Sequence, residues 1–205
     1  MPRKYELRQR AERQAETRRR IVEATVALHE AVGGAGTTIS AIAERAGVKR
    51  ATVYRHFPDE RDLWTACIQH YNDANPLPDL TAWHHIEDPV IRLQTALTAI
   101  YGYYQQTEAM ADRVAHDVRE FPMLRELLAP TMAYWDAVRE LLVVGWAVPA
   151  ERRSLVSAAV GHALGFETWR SLVREQGLAD EQAIEVMVAM VCCLDGCQSG
   201  GSVTA

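Results

Sequence analysis

Residues Thr37–Phe57 read TTISAIAERAGVKRATVYRHF, and this stretch decides the fold. Ile39, Ile42, Ala43 and Ala46 recur at helical spacing, so its first half is a short helix with one apolar face. Thr38 stands where a hydroxyl can accept one of the unpaired amide hydrogens of a helix start. Gly47 follows the last apolar residue, where a chain leaving a helix often needs positive φ. A second helix, Arg50 to about Phe57, turns Val53 and Phe57 inward at i, i+4 and leaves Arg50, Ala51, Thr52, Arg55 and His56 outward. Two helices, a glycine turn and a polar, basic second helix are the parts of a helix-turn-helix, which inserts its second helix into the major groove of DNA.

The spacing Thr37-Thr38-x-x-x-Ile42-Ala43-x-x-Ala46-Gly47-Val48-x-x-x-Thr52-x-Tyr54-x-His56-Phe57, followed by Leu63, closely resembles the tetracycline-repressor (TetR) family of transcriptional regulators. The resemblance covers about Thr17–Tyr71, roughly a third of the chain. Beyond it, only length and helical character match. Two positions depart from the family pattern. Lys49 stands where Ser or Thr usually caps the recognition helix, and Glu60 stands where Lys is common. The resemblance implies a DNA-binding surface of Thr38, Ser40, Lys49, Arg50, Ala51, Thr52, Tyr54, Arg55 and His56. In it, Thr38, Tyr54 and His56 hold phosphates. Arg50, in the first helical turn, suits a base edge, because Arg pairs bidentately with guanine O6 and N7.

Charge agrees with this division. The 205-residue chain carries a net −5, yet residues 1–62 hold 13 Lys and Arg against 9 Asp and Glu. The remaining residues hold 9 against 18, so a basic end sits on an acidic body, as expected if only the N-terminal part touches phosphate. A hydrophobic content of 48% suits a folded core rather than disorder. No apolar run approaches the ~20 residues of a membrane span, so no membrane association is expected. Four cysteines, Cys67, Cys192, Cys193 and Cys197, are too few and too clustered for a disulfide framework. They are expected as buried thiols in a cytoplasmic protein.

Read in order, the chain is all-α with about nine helices and no period-two strand. The first is amphipathic from Ile21 and ends at Gly33–Gly36; its arm before Thr17 offers Arg8, Arg10 and Arg13 to phosphates or to solvent. The fourth helix, after Pro58-Asp59, carries Leu63, Trp64, Cys67, Ile68 and Tyr71 as its apolar stripe. Residues 75–89 read as a loop. Helices are then expected at 90–106, 108–117, 119–146 with a kink at Pro130, 151–176 and 180–194, the last ended by Gly196. The expected domains are a DNA-binding head, 1–74 with a core at 17–71, and an effector-binding and dimerisation body, 75–198. A disordered tail, 199–205, follows.

The last two helices are apolar on nearly all sides, which calls for burial all round. By resemblance they form a homodimer, with Leu155, Ala159, Ile184, Val188 and Val191 at the interface. Tyr101, Tyr104, Met110, Trp135, His162 and Phe166 are candidate lining for a small-molecule effector, an apolar cavity with a few polar anchors being the usual form of such a site. Aromatics at helical spacing are more often plain core. Asp112 with His116, and His84-His85 before Glu87-Asp88, have spacings that can converge on a metal, but solvated surfaces carry the same residues far more often. No nucleophile elbow, phosphate loop, zinc-protease motif or dinucleotide fingerprint is present, so neither an enzyme nor a cofactor is expected. The whole reads as a dimeric repressor released from operator DNA by a small ligand, with an effector-independent DNA-binding protein or a helical enzyme as the alternatives.

Overall fold

A computed structural model describes residues 2–194 and, from residue 5 onward, their side chains. The expected features of Gly196, Cys197 and the tail 199–205 lie outside the described residues. The chain is all-α: among the described residues there is no strand, and no helix is long and apolar enough to cross a membrane.

Residues cluster by contact into two compact units. The first contains Met1–Pro76 and also Glu108–Ala129. Its helices are α1 (Pro2–Gly36), α2 (Ile39–Ala46), α3 (Arg50–His56), α4 (Glu60–Ala74) and α6 (Pro122–Leu127), joined by the C-terminal turns of α5 (Pro89–Glu120). Ile21, Ala24, Ile42, Ala43, Val53, Phe57 and Leu63 form one buried core. The expected end of the first helix is a kink: Gly33 takes φ 76° and ψ 170°. The freed amide of Gly34 donates to the buried Asp117 carboxylate on α5, 2.6 Å away. His29 stacks on Trp64 with ring centroids 4.2 Å apart, and Trp64 also meets Phe121. These contacts explain why the segment 108–129, placed with the body on sequence, packs with the head instead.

The second unit contains Leu77–Thr107 and the chain from Pro130 onward. It holds the N-terminal turns of α5, with α7 (Ala129–Leu142), α8 (Arg153–Ala163), α9 (Phe166–Arg170) and α10 (Asp180–Leu194). The loop expected at 75–89 carries a short 3-10 turn, Leu80–Trp83, whose Trp83 is buried. Buried Arg92 gathers the otherwise orphaned carbonyls of Ile86 and Val144.

Three expected boundaries are corrected. The helices foreseen at 90–106 and 108–117 are one, because Thr107 returns its hydroxyl to the Tyr103 carbonyl at 2.7 Å and no Gly or Pro falls between Tyr103 and Glu120. The helix foreseen at 119–146 is two, α6 and α7, because each proline falls in a first turn, where its missing N–H is no loss. The helix foreseen at 151–176 breaks at Gly165, which is extended (φ −71°, ψ 131°), and finishes in one π-helical turn, Ser171–Glu175. At that break the Tyr101 hydroxyl donates to the Ala163 carbonyl at 3.0 Å and the Tyr104 hydroxyl to that of Leu164 at 2.6 Å. Buried tyrosines thus satisfy carbonyls that the helix no longer can.

Candidate nucleic-acid interface

The turn between α2 and α3 is built from local chemistry. The Thr38 hydroxyl accepts from the Ala41 amide at 3.2 Å and starts α2. Gly47 ends it in the left-handed region at φ 63°. Its amide reaches the Glu44 carbonyl at 3.1 Å, while that of Val48 reaches Ala43 at 2.9 Å. This paired closure needs a residue free of Cβ penalty at position 47. Lys49 precedes α3 without a side-chain capping bond, as the departure from the family pattern implied.

Two arginines that sequence reading did not single out brace the two ends of the motif's second half, the turn before α3 and the residue after it. Arg20 of α1 donates to the carbonyls of Ala46 and Gly47. Arg18 lies over the Phe57 ring, 4.6 Å from its centroid. Their only sequence signal was a run of arginine ahead of the first buried residue, Ile21.

Helix α3 has two distinct sides. Val53 and Phe57 are 0% and 4% exposed, and they anchor it to the core. Lys49, Arg50, Ala51, Tyr54 and Arg55 are exposed, and Thr52 and His56 are half-buried. Thr38 and Ser40, at the start of α2, are exposed as well. All nine expected DNA-facing residues therefore retain accessible surface within the first unit. The His56 imidazole is held below its ordinary pKa, first by partial burial and then by Arg55 and Arg18. An outward row of guanidinium, hydroxyl and imidazole groups on a rigidly anchored helix can hydrogen-bond phosphates and base edges at once.

The residues expected to line an effector site divide. Tyr104 stands within 5.5–6.0 Å, centroid to centroid, of Phe166, Trp135 and Trp169 in the second unit. Tyr101 and Tyr104 are buried, with both hydroxyls engaged as described, and burial drives both phenols well above their usual pKa. His162 is exposed, its Nδ1 3.3 Å from the Thr168 hydroxyl. Met110 falls in the first unit, apart from this cluster in the contact grouping, because α5 runs on without a break.

Of the expected dimer residues, Ile184 and Val191 are 6% and 0% exposed within the single chain, so they belong to the subunit's own core. Leu155 is exposed, and Ala159 and Val188 are half-buried. The apolar surface that α10 leaves uncovered is carried instead by Val186, 39% exposed, and Met190, 53% exposed. Among the described thiols, Cys67 is buried, Cys192 half-buried and Cys193 exposed, so the expectation of buried thiols fails at the end of α10. Burial pushes the Cys67 thiol up to about 12. Among the described residues no three His, Cys, Asp or Glu side chains gather as metal ligands.

Comparison with known proteins gives a consistent picture. Residues 21–67 match the family model described as bacterial regulatory proteins, tetR family. The HTH-type transcriptional regulator YvkB of Bacillus subtilis, itself uncharacterized, is 27% identical over 128 residues. That match covers 62% of this chain and 64% of YvkB, so the chain spans under two thirds of that relative's length. Among solved structures, a proposed fatty acid metabolism regulator of Clostridium perfringens superposes with a TM-score of 0.62 at 20% identity. The alignment covers 86% of this chain and 97% of the other. The fatty acid degradation regulator FadR of Bacillus halodurans gives 0.58 at 16% identity, over 85% and 93% of the two chains. At such identities the structural likeness establishes the fold.

Proposed function

We propose that the chain, whose residues 21–67 match the tetR family of bacterial regulatory proteins, is a DNA-binding transcriptional regulator that acts as a cytoplasmic, homodimeric repressor released from its operator by a small apolar effector. The reading rests above all on α3, whose Val53 and Phe57 anchor while Arg50, Tyr54 and Arg55 project outward. In this reading the head is residues 1–74 with the packed segment 108–129, and the rest of the chain is the body.

Arg50 reads a base edge; Thr38, Tyr54 and His56 clamp phosphates. Dimerisation uses the exposed apolar side chains of α8 and α10, Leu155, Val186 and Met190. The effector replaces part of the packing around Tyr104, Trp135 and Phe166 and shifts the population toward a state of lower operator affinity. Two proteins that share the fold are named for fatty acid metabolism and degradation, which supports acyl compounds as the first ligands to screen.

The test is selection of duplexes from a random-sequence library, followed by titration of single-base variants. Arg50→Ala should cost about 1–3 kcal/mol on the selected site and relax preference at one base pair per half-site. Tyr54→Phe should weaken all duplexes alike. A uniform loss for Arg50→Ala, with wild-type base preferences intact, would remove Arg50 from the base readers. Failure of the wild type to enrich any duplex would refute DNA recognition by α3.

A further inference from the structure

Helix α1 is 35 residues long, yet its first residue without solvent exposure is Ile21. From Tyr5 to Arg20 every residue is exposed except the half-buried Gln9 and Thr17. The turns before Arg18 run for about 20 Å at 1.5 Å per residue. They bury no apolar stripe; from Arg18 on, contacts with Phe57 and with the α2–α3 turn hold the helix to the core.

Their charge is sorted by face. Arg8 pairs with Glu12, and Arg19 with Glu16 and Glu23. Successive angles of 100° place all five residues on the side of the helix turned away from Ile21. Arg13 stands seven residues before Arg20, hence two turns along the same side, and Arg10 adjoins it. Arg20 itself grips the α2–α3 turn, and Arg18 covers the last core residue after α3. The arm therefore springs from the edge of the candidate DNA surface. Among the described residues neither Arg10 nor Arg13 has an ion-pair partner.

We propose that the arm is a second DNA-contacting element, in which Arg10 and Arg13 engage backbone phosphates outside the bases read by α3. The proposal rests on DNA recognition by α3. Charge complementarity carries it: residues 5–20 hold six Arg against three Glu, of which Glu12 and Glu16 are committed to ion pairs on the far face and only Glu6 lies on the side of Arg10 and Arg13. Such contacts lengthen the protected DNA and raise affinity without altering sequence preference.

The test uses the full chain and a duplex it has selected from a random library. Arg10→Gln with Arg13→Gln is compared with Arg8→Gln with Arg19→Gln, which removes the same charge from the opposite face. The first pair should weaken binding roughly tenfold or more at 0.1 M salt and flatten the plot of log affinity against log salt by about two units. Base preferences should stay as in the wild type. The second pair should change the slope by less than half as much. Circular dichroism and melting should match the wild type for both, since all four side chains are exposed. Equal effects from the two pairs would reduce the arm to general electrostatics and overturn the proposal. An unchanged slope for the first pair would do the same. Unchanged DNA binding, combined with phosphatidylglycerol-vesicle binding that the first pair abolishes, would assign the arm to a membrane surface and also overturn it. Wild-type protein that selects no duplex refutes the reading of α3, a result distinct from any of these.

Discussion

Gly34 offers the most quantitative test of how the first unit is assembled. A Cβ at this position would stand 2.7 Å from Cζ2 of Trp64, closer still to Cη2, and 3.1 Å from Oδ2 of Asp117. Side-chain carbons do not approach that closely, so the indole would have to move by most of an ångström. It has little room: Trp64 is 7% exposed, stacks on His29, meets Phe121, and donates from Nε1 to Glu60 at 3.3 Å. Overpacking of a filled core costs about 1–3 kcal/mol, and a ring held on several sides belongs at the upper end. Gly34→Ala should therefore lower the melting temperature by about 6–12 °C, taking 2–4 °C per kcal/mol for a chain of this size. Gly102 is the internal control. It lies inside α5, a Cβ there meets nothing within 4 Å, and alanine gains about 0.5–1 kcal/mol of helix propensity. Gly102→Ala should raise the melting temperature by a few degrees. Circular dichroism melts check both, with tryptophan fluorescence reporting the environment of Trp64. A Gly34→Ala protein that melts within 2 °C of the wild type would show that the indole can slide aside at no cost, and the account of this junction would be wrong.

Three further predictions concern pH, assembly and ligand. His29 is held down to about 4 from 6.5 by burial, with the Asp117 charge partly opposing. A base whose folded pKa is depressed stabilises fully above its unfolded value and loses that contribution as pH falls from about 6.5 toward 4, so on the order of 2 kcal/mol should disappear between pH 7 and 5. His29→Phe, which keeps a ring on Trp64, should flatten that dependence in urea titrations; an unchanged slope would acquit His29. Met190→Glu should convert the dimer to monomer in light scattering while keeping helical content, whereas Val191→Glu, a charge in the subunit core, should unfold the body; a dimer surviving Met190→Glu would move the interface elsewhere. Trp135→Ala should abolish release by an effector while leaving operator affinity within a few-fold, and a normal response would make Trp135 plain core.

The helix-turn-helix was legible because its signals are local. Thr38, Gly47, Val53 and Phe57 act within a few residues of themselves, through a cap, a turn and an i, i+4 anchor. Such interactions leave a pattern in a short window, so the sequence by itself determined an all-α chain with a basic helix-turn-helix. It also marked the missing cap at Lys49 and an end to the first helix at Gly33–Gly36, which the structure turns into a kink at Gly33.

What the tertiary structure alone decided depends on partners distant along the chain. Gly34 and Asp117 are 83 residues apart, and no periodicity announces that a buried carboxylate on α5 will tie down the end of α1. The grouping of 108–129 with residues 1–76 follows from such contacts. In sequence Tyr101 and Tyr104 are candidate lining for an effector, since nothing local shows what their hydroxyls meet. The break at Gly165, some 60 residues on, supplies the carbonyls that take both hydroxyls. On α10 the apolar residues run all round the helix, so spacing cannot separate the face that closes the subunit, with Ile184 and Val191, from the face left open, with Val186 and Met190. Local chemistry writes itself into the spacing of residues. Long-range packing chooses among faces and partners that spacing leaves equivalent.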